Sequence, residues 1–145
     1  MHKAFVHGFD LEVPAWWDSV SQHTKDLMCN GMGLEWWPEV VRKIIDSITG
    51  FRAAADVHDV EFGHAAQLLV SGKIGLEAYD YRIDIANWRF RRNMLRITEH
   101  RGYRWWKNPV AYIRRRIRIR ICYKAVLVGG GVAVKRKARR IHGSH

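Results

Sequence analysis

The sequence predicts a small, mainly α-helical protein with two long antiparallel helices, a glycine loop and a basic C-terminal helix. Apolar residues recur at helical spacing in four segments, and glycines or prolines separate those segments. The chain has 145 residues, of which 48% are hydrophobic, so it can bury a core without disulfides or a structural metal. We expect one helical domain over residues 1–131, followed by a basic tail over residues 132–145.

The first half contains two short punctuated segments and two predicted helices. Pro14 opens a short helix or turn that extends to Leu27, and residues 29–33 form a tight glycine loop. Pro38 suits the first turn of a helix that Gly50 can end. The next helix carries one apolar stripe: Phe51, Ala55, His58, Phe62, Ala65 and Leu69.

The second half contains two longer predicted helices. The first runs from about Leu76 to Glu99, and its apolar stripe is Tyr79, Ile83, Ala86, Phe90, Met94 and Ile97. The second starts at Pro109 and repeats an apolar residue every four positions, at Ile113, Ile117, Ile121 and Ala125. Residues 117–121 also alternate with the period of a strand, but the four-residue repeat continues on both sides and favours a helix. We expect these isoleucines to be buried.

Charge is distributed very unevenly along the chain. Residues 1–80 contain 6 Lys and Arg against 12 Asp and Glu, whereas residues 81–145 contain 19 against 2. Such asymmetry predicts a polyanionic partner for the second half, such as anionic lipid or nucleic acid, or an acidic protein surface. A solubilising surface that complements the protein's own acidic half is the alternative. The predicted polyanion-binding residues are Arg114, Arg115, Arg116, Arg118, Arg120, Lys124, Lys135, Arg136, Lys137, Arg139 and Arg140.

The predicted basic helix is amphipathic, which suits an anionic lipid surface, with Trp105 and Trp106 at the level of the headgroups. Tracking of a nucleic-acid backbone is the alternative, and no base-reading motif is present. The two cysteines form no CxxC motif, which argues against a zinc ribbon. No apolar run is long enough to span a bilayer and no signal-peptide core precedes Asp10, so we expect a soluble or peripheral protein.

Polar residues form a candidate site between the two central helices. Asn30, Gly31, Met32 and Gly33 form the loop, and His58 and Asp59 lie on the helix that starts near Phe51. Asp80, Asp84 and Asn87 follow one another at i, i+4 and i+7, so they share one face of the next helix. A core histidine is the alternative interpretation of His58, and an ordinary surface residue is the alternative for Asp59.

In order and spacing, these motifs resemble the phospholipase A2 family, and more closely its cysteine-poor relatives among bacteriophage proteins. The motifs are Cys29-Asn30-Gly31, His58-Asp59, Phe90-Arg91-Arg92-Asn93-Met94 and Tyr123-Lys124-Ala125-Val126, and the resemblance covers roughly residues 28–131. It implies a phage-type protein of the host cytoplasm or virion that acts on or binds membranes. The alternative is a non-enzymatic phage accessory or virion protein, or a host-defence inhibitor, that binds nucleic acid or a nucleoprotein complex.

The resemblance also implies roles for individual residues. Calcium would lie between Asp59 and the carbonyls of Asn30, Gly31, Met32 and Gly33, because calcium favours hard oxygen ligands. His58 would act as general base, and a carboxylate on the antiparallel helix, Asp84 or Asp80, would orient its ring. The phage relatives often have an aspartate where this chain has Asn87, so Asp84 would have to supply that charge.

Overall fold

The computed structural model describes residues 2–29, 50–129, 135, 138–140 and 143. Over these residues the protein is a small, mainly helical domain, as predicted. The predicted helix after Pro38, the loop residues Asn30 to Gly33, and the tail residues Arg136 and Lys137 lie outside the described residues. The elements are β1 Lys3–Val6, β2 Phe9–Glu12, a 3-10 turn Trp17–Ser19, α1 Gln22–Leu27, α2 Arg52–Val70, α3 Leu76–His100 and α4 Pro109–Gly129.

Helices α2 and α3 form the antiparallel pair that the sequence predicts. The connection 71–75 is short, and Gly72 adopts a positive φ of 73° that a residue with a Cβ rarely takes. The predicted stripe of α3 is buried along its whole length, from Tyr79 at 0% exposure to Ile97 at 0%. On α2, Phe62, Ala65 and Leu69 pack against the first half of that stripe, and this packing positions the polar residues between the helices.

A β-hairpin that the sequence analysis did not predict covers the other end of the helical pair. Strands β1 and β2 are antiparallel, and their register pairs Lys3 with Glu12 and Val6 with Phe9. The two turn residues have positive φ, 47° at His7 and 86° at Gly8, which matches the right-handed twist of the strands. The Asn93 side chain on α3 accepts from the Glu12 N–H at 2.9 Å and donates to the Glu12 carbonyl at 2.8 Å. The hairpin is thereby fixed to α3.

Helix α4 forms as predicted, but the prediction of its buried face is wrong. The buried residues are Ile119, Cys122 and Val126, at i, i+3 and i+7, with exposures of 2%, 1% and 2%. The predicted stripe faces the opposite side, and Ile113, Ile117 and Ile121 are 56%, 51% and 48% exposed. Both faces of this helix are apolar, so the four-residue repeat could not indicate which of them packs against the domain. Within the described part of the chain, no helix is both long enough and apolar enough to cross a membrane.

Candidate functional sites

His58 lies in the interface between α2 and α3, where it is 2% exposed. Its Nε2 is 2.9 Å from Asn87 Oδ1, and its Nδ1 is 3.6 Å from Asp59 Oδ1. An amide oxygen can only accept a hydrogen bond, so Nε2 donates to Asn87, and Nδ1 faces the Asp59 carboxylate. The Phe90 ring, with its centroid 5.1 Å away, packs against the imidazole. The ring is therefore held in one orientation, with Nδ1 toward Asp59.

The two carboxylates predicted to orient His58 lie elsewhere, and this part of the prediction is wrong. Asp80 is half-exposed and forms an ion pair with Lys135 at 2.5 Å, and Asp84 is exposed. Helices α2 and α3 run antiparallel, and Phe62 of α2 packs near Tyr79 of α3. His58 lies one turn before Phe62, so it contacts α3 at a point about two turns after Tyr79. Asn87 lies at that point of α3, and it is the neutral member of the three polar residues that were predicted to share one face of this helix.

The start of the predicted calcium loop packs on the same helix as His58. The Cys29 thiol contacts the Asp56 carbonyl oxygen at 3.6 Å, and Met28 lies where a side chain on Gly63 would meet it. Asp59, the predicted carboxylate ligand, is largely buried, with a side chain that is 14% exposed. Burial raises the pKa of Asp59, and the hydrogen bond from His58 opposes that rise. The residues that lead into the predicted loop therefore pack against α2, the helix that carries Asp59. A calcium site built from loop carbonyls and this aspartate requires that proximity.

The predicted metal site is incomplete within the described residues. No group of three or more His, Cys, Asp or Glu side chains among them is arranged to hold a metal ion. The Cys29 thiol is unsuited to metal binding, because burial and the nearby Asp56 and Asp59 raise its pKa to about 12. The site residues Asn30 to Gly33 lie outside the described residues, so calcium binding stays a prediction.

Glu61, which the sequence analysis did not assign to the site, lies one turn after His58. It is 7% exposed and forms an ion pair with Arg89 on α3. Its second carboxylate oxygen, Oε2, is buried without a hydrogen-bond partner among the described residues. Burial raises the pKa of Glu61 to about 7, and the positive charge of Arg89 opposes this shift. The sequence signal for it was an acidic residue on the same helix as the apolar stripe.

Some of the predicted basic residues contact other side chains of the protein, and others are exposed to solvent. Arg115 points inward over the Tyr103 ring, 4.2 Å from its centroid, and Lys135 is bound to Asp80. Arg139 and Arg140 are exposed beside the buried Ala138. The remaining members lie exposed on α4, and in the described part of the chain no ion pair joins them to a carboxylate: Arg114, Arg116, Arg118, Arg120 and Lys124.

An exposed apolar ridge lies between these arginines. It consists of Val110, Ile113, Ile117 and Ile121, which at about 100° per residue fall within a sector about 80° wide. The same spacing puts Arg114 and Arg118 along one edge of the ridge, and Arg116 and Arg120 along the other. The exposed surface of α4 is thus an apolar ridge with guanidinium groups on both sides.

An aromatic pair lies just before this helix. Trp105 and Trp106 are 63% and 60% exposed, and their rings meet edge to face with centroids 6.0 Å apart. Both rings are therefore accessible to a partner. Together with the apolar ridge they leave apolar surface exposed to water on α4 and on the segment just before it.

Comparison with known proteins gave no relative from which a function could be transferred. No family model matches the chain, and neither the curated proteins nor the solved structures contain a match.

Proposed function

We propose that this protein binds the surface of anionic membranes through helix α4. The observation that carries the proposal is the apolar ridge, half-exposed to water and lined on both edges by arginines without carboxylate partners in the described residues. A helix of this type lies in the plane of the bilayer, with its apolar side in the acyl boundary and its cations among lipid phosphates. Trp105 and Trp106 would lie at headgroup depth, where indole rings concentrate.

The apolar ridge favours a bilayer over the other polyanions. A nucleic-acid backbone would contact the arginines but leave Ile113, Ile117 and Ile121 exposed, because phosphates and sugars offer those side chains little apolar surface. Packing of the ridge against a second copy of itself would bring two sets of arginines together and add repulsion. An anionic bilayer satisfies both features at once.

The proposal is tested by co-sedimentation with two kinds of vesicle, phosphatidylcholine alone and phosphatidylcholine mixed with phosphatidylglycerol in equal parts. We expect binding to the mixed vesicles only. Replacing Arg114, Arg118 and Arg120 by Gln should weaken that binding about 100-fold, since each cation near the surface contributes about 1 kcal/mol. Replacing Ile113, Ile117 and Ile121 by Ser should weaken it at least as much, because burial of each CH₂ is worth about 0.8 kcal/mol.

Two control variants and one competing ligand separate this function from its alternatives. Phe5→Ser removes an aromatic side chain that is 79% exposed on β1, and Arg82→Gln removes an exposed cation of α3. Both should bind mixed vesicles as the wild type does. The arginine substitutions should weaken binding to a DNA duplex, whereas the isoleucine substitutions should leave that binding unchanged. Tight duplex binding, with vesicle binding unaffected by loss of the isoleucines, would identify the protein as a nucleic-acid binder instead.

The geometry around His58 supports a second candidate function, hydrolysis of phospholipid by a phage-type phospholipase A2-like enzyme. His58 Nε2 donates to Asn87, so in a neutral ring Nδ1, which faces Asp59, would be the base that takes a proton from water. Asp59 and the carbonyls of residues 30–33 would hold calcium, which when bound supplies positive charge for the developing oxyanion. Because Asn87 is neutral, the imidazolium formed during the reaction would lack the carboxylate that stabilises it in many hydrolases.

Fatty-acid release from phosphatidylglycerol vesicles in millimolar calcium tests this second function. We expect slow release that His58→Gln abolishes, because glutamine keeps a polar group at the site but cannot act as the base. Asn87→Asp should accelerate release by placing a negative charge beside Nε2 and raising the basicity of the ring. If the wild type and Asn87→Asp both release no fatty acid, the protein is a membrane-binding protein without this activity.

A further inference from the structure

Two arginines from different helices converge beside the backbone of Gly50. Arg101 caps the C-terminal end of α3, and Arg115 lies in the second turn of α4. A Cβ added to Gly50 would lie 3.1 Å from Arg101 Nη1, 3.0 Å from Arg115 Nη2 and 3.7 Å from Arg115 Nη1. Both guanidinium groups therefore lie closer to the Gly50 backbone than a side chain at residue 50 would comfortably allow.

Aromatic rings fix both cations in place. The Arg115 guanidinium lies 4.2 Å from the Tyr103 ring centroid and 5.4 Å from that of Phe51, and Arg101 lies 5.3 Å from the Phe9 ring centroid. Cation–π contacts occupy the faces of a guanidinium group and leave its N–H edge free to donate. The two arginines are thus oriented before any ligand arrives.

The Tyr103 side chain forms a hydrogen bond with Arg115, but one buried nitrogen of this guanidinium group lacks an acceptor. Among the described residues, Arg115 Nη1 is buried without a hydrogen-bond partner, and no ion pair joins Arg101 or Arg115 to a carboxylate. Burial lowers the pKa of Arg115, Tyr103 opposes this shift, and the positive charges of Arg101 and Arg118 add to it. Two like charges and an unsatisfied buried donor are unfavourable together, and a bound oxyanion would relieve both.

We propose that Arg101 and Arg115 form a binding site for a single phosphate group. Phosphate presents several oxygens to the fork of a guanidinium group, and two arginines provide the charge for a dianion. The site goes beyond membrane binding through the apolar ridge, because it recognises one phosphate group in a fixed position instead of an extended surface. Either inorganic phosphate or the headgroup of a phosphatidic acid could supply that group.

Thermal unfolding in inorganic phosphate, compared with chloride at equal ionic strength, tests the site. We expect phosphate at ten times its Kd to raise Tm by about 4 °C over chloride. Arg101→Gln should abolish this rise, because it removes one of the two cations of the site. Arg101 is exposed, so its loss leaves the core intact. Gly50→Ala should reduce the rise, because the added methyl group would press on both guanidinium groups and displace them without a change in charge. Arg120→Gln, an exposed arginine at the edge of the ridge, is the matched control and should keep it.

A second titration, with soluble dihexanoyl phosphatidic acid, distinguishes the source of the phosphate. A lower Kd than that of inorganic phosphate indicates a lipid headgroup, and an equal Kd indicates free phosphate. Equal Tm rises in Arg101→Gln and Arg120→Gln, or an equal rise in chloride, would overturn the site. The protein with Ile113, Ile117 and Ile121 replaced by Ser should lose vesicle binding and keep the phosphate effect, so this site and the membrane proposal can fail independently.

Discussion

Three arginines of α3 and the exposed arginines of α4 have opposite environments within the same basic half of the chain. On α3, Arg89 is paired with Glu61, and Arg92 and Arg96 contact Glu12 Oε1 at 2.7 and 2.6 Å. On α4, the exposed arginines form no ion pair within the described part of the chain. Net charge alone does not distinguish the two helices.

The difference shows which part of the basic half is available to a partner. Glu12 is 1% exposed and Glu61 is 7% exposed, so both carboxylates need cations beside them to be stable inside the fold. Helix α3 provides those cations because it is the central helix, in contact with α2, with the hairpin and with α4. The charge of α4 is therefore surplus to the fold.

The largest effect should follow from breaking the paired region at Glu12. Glu12→Gln removes the negative charge that Arg92 and Arg96 share, and we expect a loss of about 3 kcal/mol in the free energy of unfolding. This figure is at the low end for a buried pair because the two arginine side chains are 32% and 28% exposed. Urea unfolding followed by circular dichroism measures the loss.

The matched control for Glu12 is Asp10→Asn on the same strand. Asp10 is paired with Lys3 at 3.5 Å, and both side chains are well exposed, so its loss should cost less than about 0.5 kcal/mol. Equal losses in the two variants would mean that burial does not separate structural from surplus charge in this protein.

The second effect, smaller than the first, is a pH dependence that comes from Glu61. Its pKa is raised from 4.5 to about 7 in the folded state, so its contribution to stability is fully present below pH 4.5. That contribution is lost as the pH rises through about 7, because the folded protein must then bury a carboxylate. We expect stability to fall by about 2 kcal/mol between pH 5 and pH 8, since one pKa unit corresponds to about 1.4 kcal/mol.

Glu61→Gln isolates this contribution, because every other titrating group is common to both proteins. Urea unfolding at pH 5 and pH 8 measures the change in the free energy of unfolding. That free energy should fall clearly between the two pH values in the wild type and only slightly in the variant. A variant that loses as much stability as the wild type would place the titrating group elsewhere.

Much of the helical fold could be predicted, because the spacing in a helix with a single apolar stripe indicates which face is buried. The stripe of α3 from Tyr79 to Ile97 is buried as predicted, and α2 ends at Val70, one residue after Leu69, the last member of its predicted stripe. The hairpin was missed because its strands have only four residues each. Its one local signal was His7-Gly8, a pair whose second residue favours the positive φ of a two-residue turn.

The candidate sites were predictable only in part, because they depend on register between helices. Spacing put Asp80, Asp84 and Asn87 on one face of α3, but only the packing of α2 decides which of them meets His58. Similarly, the exposed position of Ile117 depends on which of two apolar faces of α4 is covered. Neither choice is encoded within a single helix, so the residue pattern of one element could not make it.

The smallest effect on stability is expected on α4, and it is the sharpest test of the comparison. Arg118→Gln and Arg120→Gln together should change the free energy of unfolding by less than about 0.5 kcal/mol, because neither side chain has a carboxylate partner in the described residues. Urea unfolding of this double variant beside Glu12→Gln makes the measurement. A small gain in stability would fit best, since removing two charges from a helix rich in arginine relieves repulsion. A loss comparable to that of Glu12→Gln would show that the α4 arginines hold the fold together, and their surplus charge would then not be available to a membrane.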